Sequence, residues 1–474
     1  MRPNPQPPVE PLPRAALDTL PQQCAGEAFA RVRRQVGASR TKTVVLDDDP
    51  TGTQTVHGLD ILADWSVVSL AAAVADPRPC FFVLTNTRSL PKTEAAARVL
   101  EVARNLSAAA RAAGVDVRVL SRGDSTLRGH FAAELDSIER GLGAPIDARI
   151  VIPAFFEGGR YTIGNVHYVA EGETLVPAGQ TEFARDRTFG YRNSDLTQWI
   201  EEATGGSVRA GDVASVGIAA LRASEGAAAV RSRLMGLPRG AHLVVNAAAY
   251  SDLEVFTEGL LGAEAAGRRY LVRTAASFVR VRAAVEPRPL MAPGEVRGPG
   301  AGGGLVVVGS YTHLTTVQLQ ALLELPGAEG TEVAVDALVA PGSRDEEILR
   351  CANAAREAIR CGRHAVLFTS RKRESAAGPA GDLDAGRIVS DALVRIVRAI
   401  PERPRFLIAK GGVTSCGVAI RALGMRKATV LGQASPGVPV WEMGPETRHP
   451  GMRLVLWPGN VGGAGTLRDL VRSA

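Results

Sequence analysis

The chain has 474 residues, of which 45% are hydrophobic and 22% charged, with a formal net charge of +6. This length predicts two or three domains, and the composition excludes a chain that is wholly disordered, collagen-like or coiled-coil. No apolar run approaches the roughly 20 residues needed to cross a bilayer, and the basic residues are scattered, so we expect neither a membrane nor a nucleic acid as partner.

The N-terminal region is rich in proline and lacks the apolar segment of a secretory signal, so we predict a flexible tail over residues 1–40. The cysteines form no Cys-x-x-Cys pair, which argues against a disulfide framework and a structural zinc site. These features predict a cytoplasmic protein and leave a homo-oligomer open.

Short β-branched apolar runs alternate with helical stretches along most of the chain. The predicted strands are 43–46, 80–84, 115–120 and 148–152 in the first half, and 305–308, 332–335, 365–368 and 405–409 in the second. Over residues 91–113, apolar residues recur every three to four positions and Gly114 follows, which predicts an amphipathic helix. The alternation is typical of α/β domains with largely parallel sheets.

A proline- and glycine-rich stretch separates the two series of strands and predicts an exposed linker over residues 286–304. We therefore expect an α/β fold of two domains, residues 41–285 and residues 305–474. Residues 155–207 lack clean periodicity, and we interpret them as a subdomain or a long insertion.

Three consecutive acids, Asp47, Asp48 and Asp49, follow the first predicted strand. Carboxylates at the C-terminal end of a parallel strand lie where open α/β sheets bind ligands. Because adjacent acids repel one another, the cluster indicates a site that binds a metal, a basic ligand or a proton. The run also matches the Asp-x-Asp-x-Thr pattern of phosphatases with an aspartate nucleophile, which would be Asp47, with Asp49 as the acid. Those enzymes need a later lysine, and the few lysines of this chain lie in unpromising places.

A second polar string, Arg122 to Gly129, follows another predicted strand and contains Asp124, Ser125 and Arg128. The guanidinium group of arginine forms bidentate hydrogen bonds with carboxylates and phosphates. Asp124 could serve as a general base that accepts the proton of a hydroxyl. Arg88 follows a third strand and is expected at the same edge of the sheet. An anionic, hydroxylated small molecule is the predicted substrate.

Three predicted strands of the second half, 305–308, 405–409 and a further one at 454–457, end in glycine-containing turns. These turns contain Gly309-Ser310, Gly411-Gly412-Val413-Thr414-Ser415, and Gly459. Glycines allow the backbone to approach a phosphate, and Thr414 and Ser415 are interpreted as capping hydroxyls of the following helix. No Gly-x-x-x-x-Gly-Lys string occurs, so the turns predict a nucleotide site other than a P-loop.

Taken in order, these strings resemble the four-carbon acid sugar kinase family. The matching strings are Asp48-Asp49-Pro50-Thr51-Gly52, Asp124-Ser125-Thr126-Leu127-Arg128-Gly129, Ile152-Pro153-Ala154-Phe155-Phe156-Glu157, Gly159-Arg160, Gly309-Ser310, Gly411-Gly412 with Thr414-Ser415, Pro436-Gly437-Val438-Pro439, and Gly459-Asn460. The resemblance covers residues from about Thr43 to Leu470. The chain departs from the family pattern at Val413, where a glutamate is usual.

The resemblance implies a sugar-acid-binding lobe followed by an ATP-binding lobe, and phosphoryl transfer to a hydroxyl of threonate, erythronate, a 3-oxo-tetronate or a similar acid. It implies substrate contacts from Asp48, Arg88, Asp124 and Ser125, and ATP contacts from Ser310, Gly411, Gly412, Val413, Thr414 and Gly459. We expect Ser415 to join the ATP contacts, Mg²⁺ to accompany ATP, and Arg88 with Arg122 or Arg128 to pair with the substrate carboxylate. The hydroxyl proton goes to Asp48 or Asp124. The alternatives are the phosphatase on Asp47 and Asp49 and a non-catalytic sugar-acid-binding protein.

Overall fold

The structure is a computed structural model that describes residues 9–23, 26–298, 302–340, 342–371 and 378–473, with the main chain only over 378–385. It divides the chain into two compact units, unit 1 from Met1–Asp48 and Trp65–Glu286, and unit 2 from Asp49–Asp64 and Pro287–Ala474. Within the described ranges, no helix combines the length and hydropathy that a membrane span requires.

The described residues form nineteen strands. They are β1 Leu12–Pro13, β2 Lys42–Asp47, β3 Asp60–Leu62, β4 Cys80–Leu84, β5 Val117–Arg122, β6 Ala148–Ile152, β7 Arg160–Ile163, β8 Val166–Glu171, β9 Thr174–Pro177, β10 Ala214–Val216, β11 Ala241–Val245, β12 Tyr270–Thr274, β13 Leu305–Val308, β14 Ala328–Val333, β15 His364–Thr369, β16 Leu407–Lys410, β17 Lys427–Ser435, β18 Val438–Met443 and β19 Arg453–Trp457.

The described residues also form sixteen α-helices. They are α1 Ala28–Ala38, α2 Val67–Ala75, α3 Lys92–Ala113, α4 Phe131–Leu142, α5 Leu196–Ala203, α6 Ile218–Leu221, α7 Gly226–Met235, α8 Tyr250–Ala265, α9 Ala276–Arg282, α10 Pro293–Arg297, α11 His313–Leu323, α12 Val335–Val339, α13 Arg344–Arg360, α14 Gly378–Ala399, α15 Gly412–Cys416 and α16 Thr466–Ser473.

Unit 1 is built on a parallel sheet with strand order β10-β11-β6-β12-β5-β2-β4. Strand β2, which lies between β4 and β5, is buried along its whole length, as expected for a parallel sheet covered on both faces. The predicted helix over 91–113 is confirmed as α3, which buries Val99, Val102 and Leu106 and ends at Gly114 with φ 63°. A smaller antiparallel sheet, β1-β9-β8-β7, contains part of the stretch that showed no clean periodicity.

Unit 2 is built on a mixed sheet with strand order β3-β17-β18-β19-β16-β13-β15-β14. The five strands from β19 to β14 are parallel, and β3, β17 and β18 are antiparallel to their neighbours. Val306, Val308, Ile408 and Val455 lie in its core. The expectation of two-domain α/β architecture with largely parallel sheets is confirmed.

The N-terminal region differs from the predicted tail. Residues 1–8 lie outside the described part of the chain, but β1 pairs with β9, and α1 packs against α8. Helix α1 forms because Ala28, Val32 and Val36 recur at four-residue intervals and are buried on one face. The side chain of Arg31 reaches Glu258 of α8 at 2.6 Å.

The predicted linker also contains ordered structure. Its described residues from Pro287 onward belong to unit 2, where Met291 and the fully buried Val296 lie in the core. Pro293 occupies the first turn of α10, a position that tolerates proline. Residues 299–301 lie outside the described part of the chain.

A segment predicted for the first domain belongs to the second unit. Residues Asp49–Asp64 are part of unit 2, because β3 pairs antiparallel with β17 and the Trp441 indole donates to the Thr53 hydroxyl at 2.8 Å. Sequence periodicity gives no information on such long-range pairing.

The buried ion pair between Arg222 and Asp252 generates a stability prediction. The side chains are 5% and 0% exposed, the guanidinium binds both carboxylate oxygens, and the amides of Ala248 and Ala249 donate to the same carboxylate. We expect Asp252→Ala to lower the free energy of unfolding by about 3–5 kcal/mol, because it leaves a buried charge unpaired. Chemical denaturation of the full chain measures this.

The matched control is Asp136→Ala, which removes a carboxylate that is 56% exposed and pairs with Arg149 at 2.8 Å. An exposed pair contributes at most about 1 kcal/mol. Equal losses for the two variants would contradict the expectation.

Candidate active site

Polar side chains follow three neighbouring strands of the unit 1 sheet. Asp47 and Asp48 lie at the end of β2, Arg88 follows β4, and Arg122 with Asp124 lies at the end of β5. Strand register places Asp47 opposite both Leu84 and Arg122, so the three ends meet at one edge of the sheet. The amide of Arg88 donates to the Asp48 carbonyl at 3.4 Å. The predicted residues Asp48, Arg88, Arg122 and Asp124 are therefore brought together.

The Asp48 carboxylate is buried, with 1% of the side chain exposed. Within the described residues neither of its oxygens has a hydrogen-bond partner. Guanidinium nitrogens of Arg122 and Arg273 lie 3.6 and 3.8 Å from its oxygens. Burial raises the pKa of Asp48 to about 6, against the opposing charges of Arg88, Arg273 and Arg122. Such a carboxylate can accept a proton near neutral pH.

The Asp124 carboxylate has a different environment. Its oxygens lie 3.2 Å from Arg88 and 2.7 Å from Arg128, and the Thr126 hydroxyl donates to it. Burial opposes ionisation, but Arg128 and Arg88 more than offset it and hold the pKa of Asp124 well below its usual range. Asp124 is therefore a permanently ionised anchor for two arginines.

Arg122 is engaged by the acids of β2. Its guanidinium lies 3.3 Å from an Asp47 oxygen, and the two side chains are 4% and 0% exposed. Asp47 is the acid closest to Arg122, since the corresponding distance from Arg122 to Asp48 is 3.6 Å.

Two residues that sequence reasoning missed, Arg273 and Glu134, complete this cluster. Arg273 on β12 donates to Glu134 at 2.5 Å and to the Ser121 hydroxyl at 2.8 Å, and the Thr87 hydroxyl donates to the other Glu134 oxygen at 2.5 Å. A Cβ at Gly123 would lie 2.0 Å from the Arg273 guanidinium, so a larger residue there would displace Arg273 from this arrangement. We call Asp47, Asp48, Arg122, Glu134 and Arg273 the Asp48 cluster.

The loop after β5 is held by two further residues that the sequence did not indicate. The carbonyl of Ser125, a buried residue, accepts a hydrogen bond from His167 at 2.7 Å, and the Thr126 carbonyl accepts one from the Tyr191 hydroxyl at 2.8 Å. Burial lowers the pKa of His167 to about 4, so the ring is neutral and donates through Nε2. Between the two supported residues and Arg128, Leu127 adopts a left-handed conformation with φ 69°. The hydrogen bonds stabilise this strained turn.

In unit 2, turns follow the neighbouring strands β13, β16 and β19. The register pairs Lys410 with Val308 on one side and Trp457 on the other, so the turns that follow these strands are adjacent. A Cβ at Gly411 would lie 3.2 Å from Ser310, and one at Gly459 would lie 2.8 Å from the Ser310 hydroxyl. We call residues 309–312, 410–415 and 458–462 the glycine loops. They bring Ser310, Gly411 and Gly459 together, as expected.

The turn after β16 depends on glycine at both of its first positions. Gly411 has φ 112°, which L side chains rarely adopt, and a Cβ at Gly412 would lie 2.4 Å from an Asp49 oxygen. The Thr414 hydroxyl occupies the space beside Gly309, where an added Cβ would approach it to 2.1 Å. The positions of Gly411 and Gly412 therefore leave no room for side chains.

Two details of this turn differ from the expectation. Thr414 and Ser415 lie inside α15 and do not cap it, because the helix begins at Gly412 and Gly411 is the cap residue. Ser415 is fully buried and donates to the Ala409 carbonyl at 2.9 Å, so its side chain stabilises the turn from within. Val413 is 57% exposed, so its apolar side chain is available to a ligand.

Thr312 and Thr315 also contact the glycine loops, although the sequence motifs did not single them out. Their hydroxyls donate to the Gly459 carbonyl at 2.7 and 3.1 Å, and Thr312 caps α11. The spacing of the two threonines after Gly309-Ser310 is typical of a helix start and was an available signal.

The described residues contain no group of three or more His, Cys, Asp or Glu side chains arranged to hold a metal ion. Mg²⁺ usually keeps several waters and binds through one or two carboxylates and substrate phosphates. The side chains present thus form no dedicated metal site.

Comparison with known families gives two matches. A family model described as a sugar-binding N-terminal domain matches residues 43–282, and one described as a nucleotide-binding C-terminal domain matches residues 305–467. The Asp48 cluster lies in the first range and the glycine loops in the second.

Curated relatives carry kinase names. The chain is 28% identical over 319 residues to a D-erythronate kinase of Heliobacterium modesticaldum, covering 65% of this chain and 66% of the relative, just under two thirds of its length. It is 35% identical over 150 residues to a D-threonate kinase of Bordetella bronchiseptica, covering 30% of this chain and 35% of the relative. A D-threonate kinase of Cupriavidus necator is 28% identical over 446 residues, covering 90% of this chain and 95% of the relative.

Two solved structures share the fold. One, described as a putative tRNA synthase from Salmonella typhimurium, has a TM-score of 0.65 and 18% identity, and the match covers 90% of this chain and 98% of that one. A Haemophilus influenzae protein has a TM-score of 0.61 and 17% identity, with coverage of 90% and 99%. At these identities the likeness shows the fold alone.

The family expected from the sequence motifs is confirmed by these matches, since the two family models together cover most of the chain in the expected order. The chain belongs to the four-carbon acid sugar kinase family.

Proposed function

We propose that the protein transfers a phosphoryl group from ATP to a hydroxyl of a small sugar acid, such as threonate, erythronate or a 3-oxo-tetronate. The observation that carries the proposal is the buried Asp48 carboxylate, which has no hydrogen-bond partner among the described residues and has a pKa of about 6. A general base works best when its pKa lies near the operating pH. The names of the relatives, D-erythronate kinase and D-threonate kinase, support the substrate class.

Positive charge around Asp124 suits a substrate carboxylate. Arg88 and Arg128 pair with Asp124, and Arg128 also lies 3.5 Å from Asp186. Arg160 is a third arginine in this region, and it and Arg128 lie against the Phe183 ring, at 5.7 and 5.1 Å from its centroid. We assign the guanidinium groups of Arg88 and Arg128 to the carboxylate of the sugar acid. Ser125 supplies a hydroxyl to the same molecule.

Arg122 has a different role in this proposal. Because its side chain is 4% exposed, against 20% and 24% for Arg88 and Arg128, we assign it to the support of Asp48 and choose Arg88 and Arg128 for the substrate carboxylate. Arg273 and Glu134 act on Asp48 in opposite directions, since the first favours its ionised form and the second disfavours it.

The glycine loops fit the phosphates of a nucleotide. The half-buried backbone at Gly411, Gly412 and Gly459, with the Ser310 and Thr414 hydroxyls, would line the space for the phosphates. ATP, when bound, supplies the phosphoryl group. We propose that Mg²⁺ would be held by the phosphate oxygens of ATP, and we assign the metal no protein ligands.

In the reaction, the chain's own residues position the acceptor and move one proton. Arg88 and Arg128 fix the sugar acid by its carboxylate, and Asp48 takes the proton from the hydroxyl that is phosphorylated. Phosphoryl transfer depends mainly on alignment and on stabilisation of charge, which the arginines provide.

A phosphatase built on Asp47 and Asp49 is not favoured. Asp47 is buried in β2 and paired with Arg122 at 3.3 Å, an arrangement that favours a supporting role over that of a nucleophile. Asp49 accepts hydrogen bonds from the Thr51 amide and hydroxyl and caps the short helix Pro50–Thr53. A non-catalytic binding protein would have no use for a carboxylate held buried at a pKa of about 6.

The first prediction concerns activity. In an ADP-release screen over four- and five-carbon sugar acids, we expect turnover with at least one four-carbon acid and none with the corresponding sugars that lack a carboxylate. Mass spectrometry of the product should show one added phosphate. Phosphate release from a phosphorylated acid in the absence of nucleotide would instead support a phosphatase.

The second prediction concerns Asp48. We expect Asp48→Asn to lower kcat by about 10²–10⁴-fold, because the amide cannot accept the hydroxyl proton. In the wild-type enzyme, kcat/KM should fall as the pH drops through about 6, where Asp48 becomes protonated. Glu134→Gln should move this limb to lower pH, because the negative charge of Glu134 raises the pKa of Asp48.

Asp124→Asn serves as the comparison. Because Asp124 is ionised throughout this pH range, the variant should raise KM and keep the acid limb where it is. In the wild type, ionisation of Asp48 lowers the free energy of unfolding as the pH rises through about 6, because its pKa is raised in the folded protein. An asparagine side chain does not ionise, so we expect Asp48→Asn to lose no stability above pH 6. A normal kcat for Asp48→Asn would remove its assignment as the base.

The third prediction concerns the support of the loop after β5. We expect His167→Gln and Tyr191→Phe to raise the KM for the sugar acid by about 3- to 10-fold, the loss of one neutral hydrogen bond. The KM for ATP should stay unchanged, because the glycine loops are untouched. Steady-state kinetics with each substrate varied in turn measure both values.

The matched control is Tyr168→Phe, a change at a buried tyrosine of β8, next to His167 in the chain. We expect it to leave both KM values near those of the wild type. An equal rise in the sugar-acid KM for Tyr168→Phe and Tyr191→Phe would show that the effect is general loosening.

A further inference from the structure

Lys410 is a buried cation in unit 2. It is the last residue of β16, directly before Gly411, and none of its surface is exposed. Burial of an ammonium group is costly unless hydrogen bonds or an opposite charge compensate it. The position of such a group at a strand end therefore requires an explanation.

The contacts of Lys410 compensate its charge only in part. Its Nζ donates to the Pro458 carbonyl at 3.1 Å and lies 5.6 Å from the centroid of the Trp457 ring. In the part of the chain that the structure describes, no carboxylate forms an ion pair or hydrogen bond with it. Burial lowers the pKa of Lys410 to about 7, and it is the only cause, since no charged group acts on the ammonium. An ammonium has three donors, and one is used.

The contacts connect two of the glycine loops. Pro458 directly precedes Gly459, whose carbonyl accepts from Thr312 and Thr315, and the Gly411 amide donates to the Trp457 carbonyl at 2.8 Å. Lys410 thus joins the turn after β16 to the turn after β19, at the positions assigned to phosphates. A ligand with several negative charges would supply the opposite charge that Lys410 lacks.

We propose that Lys410 is a positioning residue of the nucleotide site, which fixes the Pro458–Gly459 turn and holds a positive charge that the bound phosphates stabilise. The inference rests on the proposed function, because it assumes that the glycine loops bind a nucleotide. It assigns a role to a residue that was not among the expected ATP contacts.

Proton uptake on binding follows from this arrangement. At pH 8 a large fraction of Lys410 is neutral in the free protein, because its pKa is about 7. Phosphates bound nearby favour the charged form, so the protein takes up a proton when the nucleotide binds. At lower pH the ammonium is already charged, and the uptake by Lys410 declines.

The experiment is calorimetry of ADP binding to the full chain at pH 8, without sugar acid, in buffers of low and high ionisation enthalpy. We expect the wild-type protein to take up a measurable fraction of a proton. Lys410→Met should abolish that uptake and weaken ADP binding by about 10- to 100-fold, the loss expected for a hydrogen bond to a charged group.

A second variant separates charge from position. Lys410→Gln keeps a donor for the Pro458 carbonyl and removes the charge, so it should lose the proton uptake as Lys410→Met does. The matched control is Lys42→Met, which removes another buried lysine, whose Nζ donates to the carbonyls of Asp76 and Arg78 in unit 1. It should bind ADP with wild-type affinity and proton uptake.

Thermal unfolding without ligand gives a readout independent of binding. Lys410→Met should unfold at the same temperature as the wild type or a higher one, because it removes an uncompensated buried charge. If Lys410→Met binds ADP with wild-type affinity and still takes up a proton, the inference is overturned and the proposed function stands. Absence of ADP binding by the wild-type chain would overturn both.

Discussion

The burial of the Asp48 carboxylate is the constraint on which the organisation of unit 1 depends. A carboxylate without hydrogen-bond partners is tolerated only if nearby positive charge offsets the cost of removing it from water. Arg122 and Arg273 supply that charge from the adjacent strand β5 and from β12. Asp47 and Glu134 then engage the arginines, so that each guanidinium is anchored and Asp48 remains available.

The same principle organises unit 2 with the signs reversed. There the buried group is a cation, Lys410, and the surrounding loops carry glycine where a side chain would fill the space. Each unit therefore places an incompletely compensated charge at the end of a buried parallel strand, where α/β sheets bind their ligands. The hydroxyls and carbonyls around it fix the turns and leave the charge for a ligand to balance.

Sequence reasoning predicted the family, the α/β class and the strand-end positions of Asp48, Arg88, Asp124, Ser310, Gly411 and Gly459. It succeeded there because short turns after buried strands have recognisable residue types, and parallel strands bring those turns to one edge. The roles of individual site residues stay predictions. Arg273 and Glu134 were missed because they lie within a strand and a helix, with nothing in their local pattern to mark them, and they approach Asp48 only through the fold. His167 and Tyr191 lie in a stretch without clean periodicity, and helix α1 was obscured by the proline-rich composition before it.

The assignment of residues 49–64 to unit 2 has a consequence for how the gene can be divided. The polypeptide crosses from one unit to the other after residues 48, 64 and 286, so a cut at the apparent linker does not yield two complete halves. A fragment that begins at Pro287 lacks β3, which exposes the backbone of β17 as an open sheet edge, a known template for aggregation. It also lacks Thr53, the partner of the Trp441 indole. Recombination between related genes would preserve folding only if residues 49–64 and the part of the chain from Pro287 onward came from the same parent.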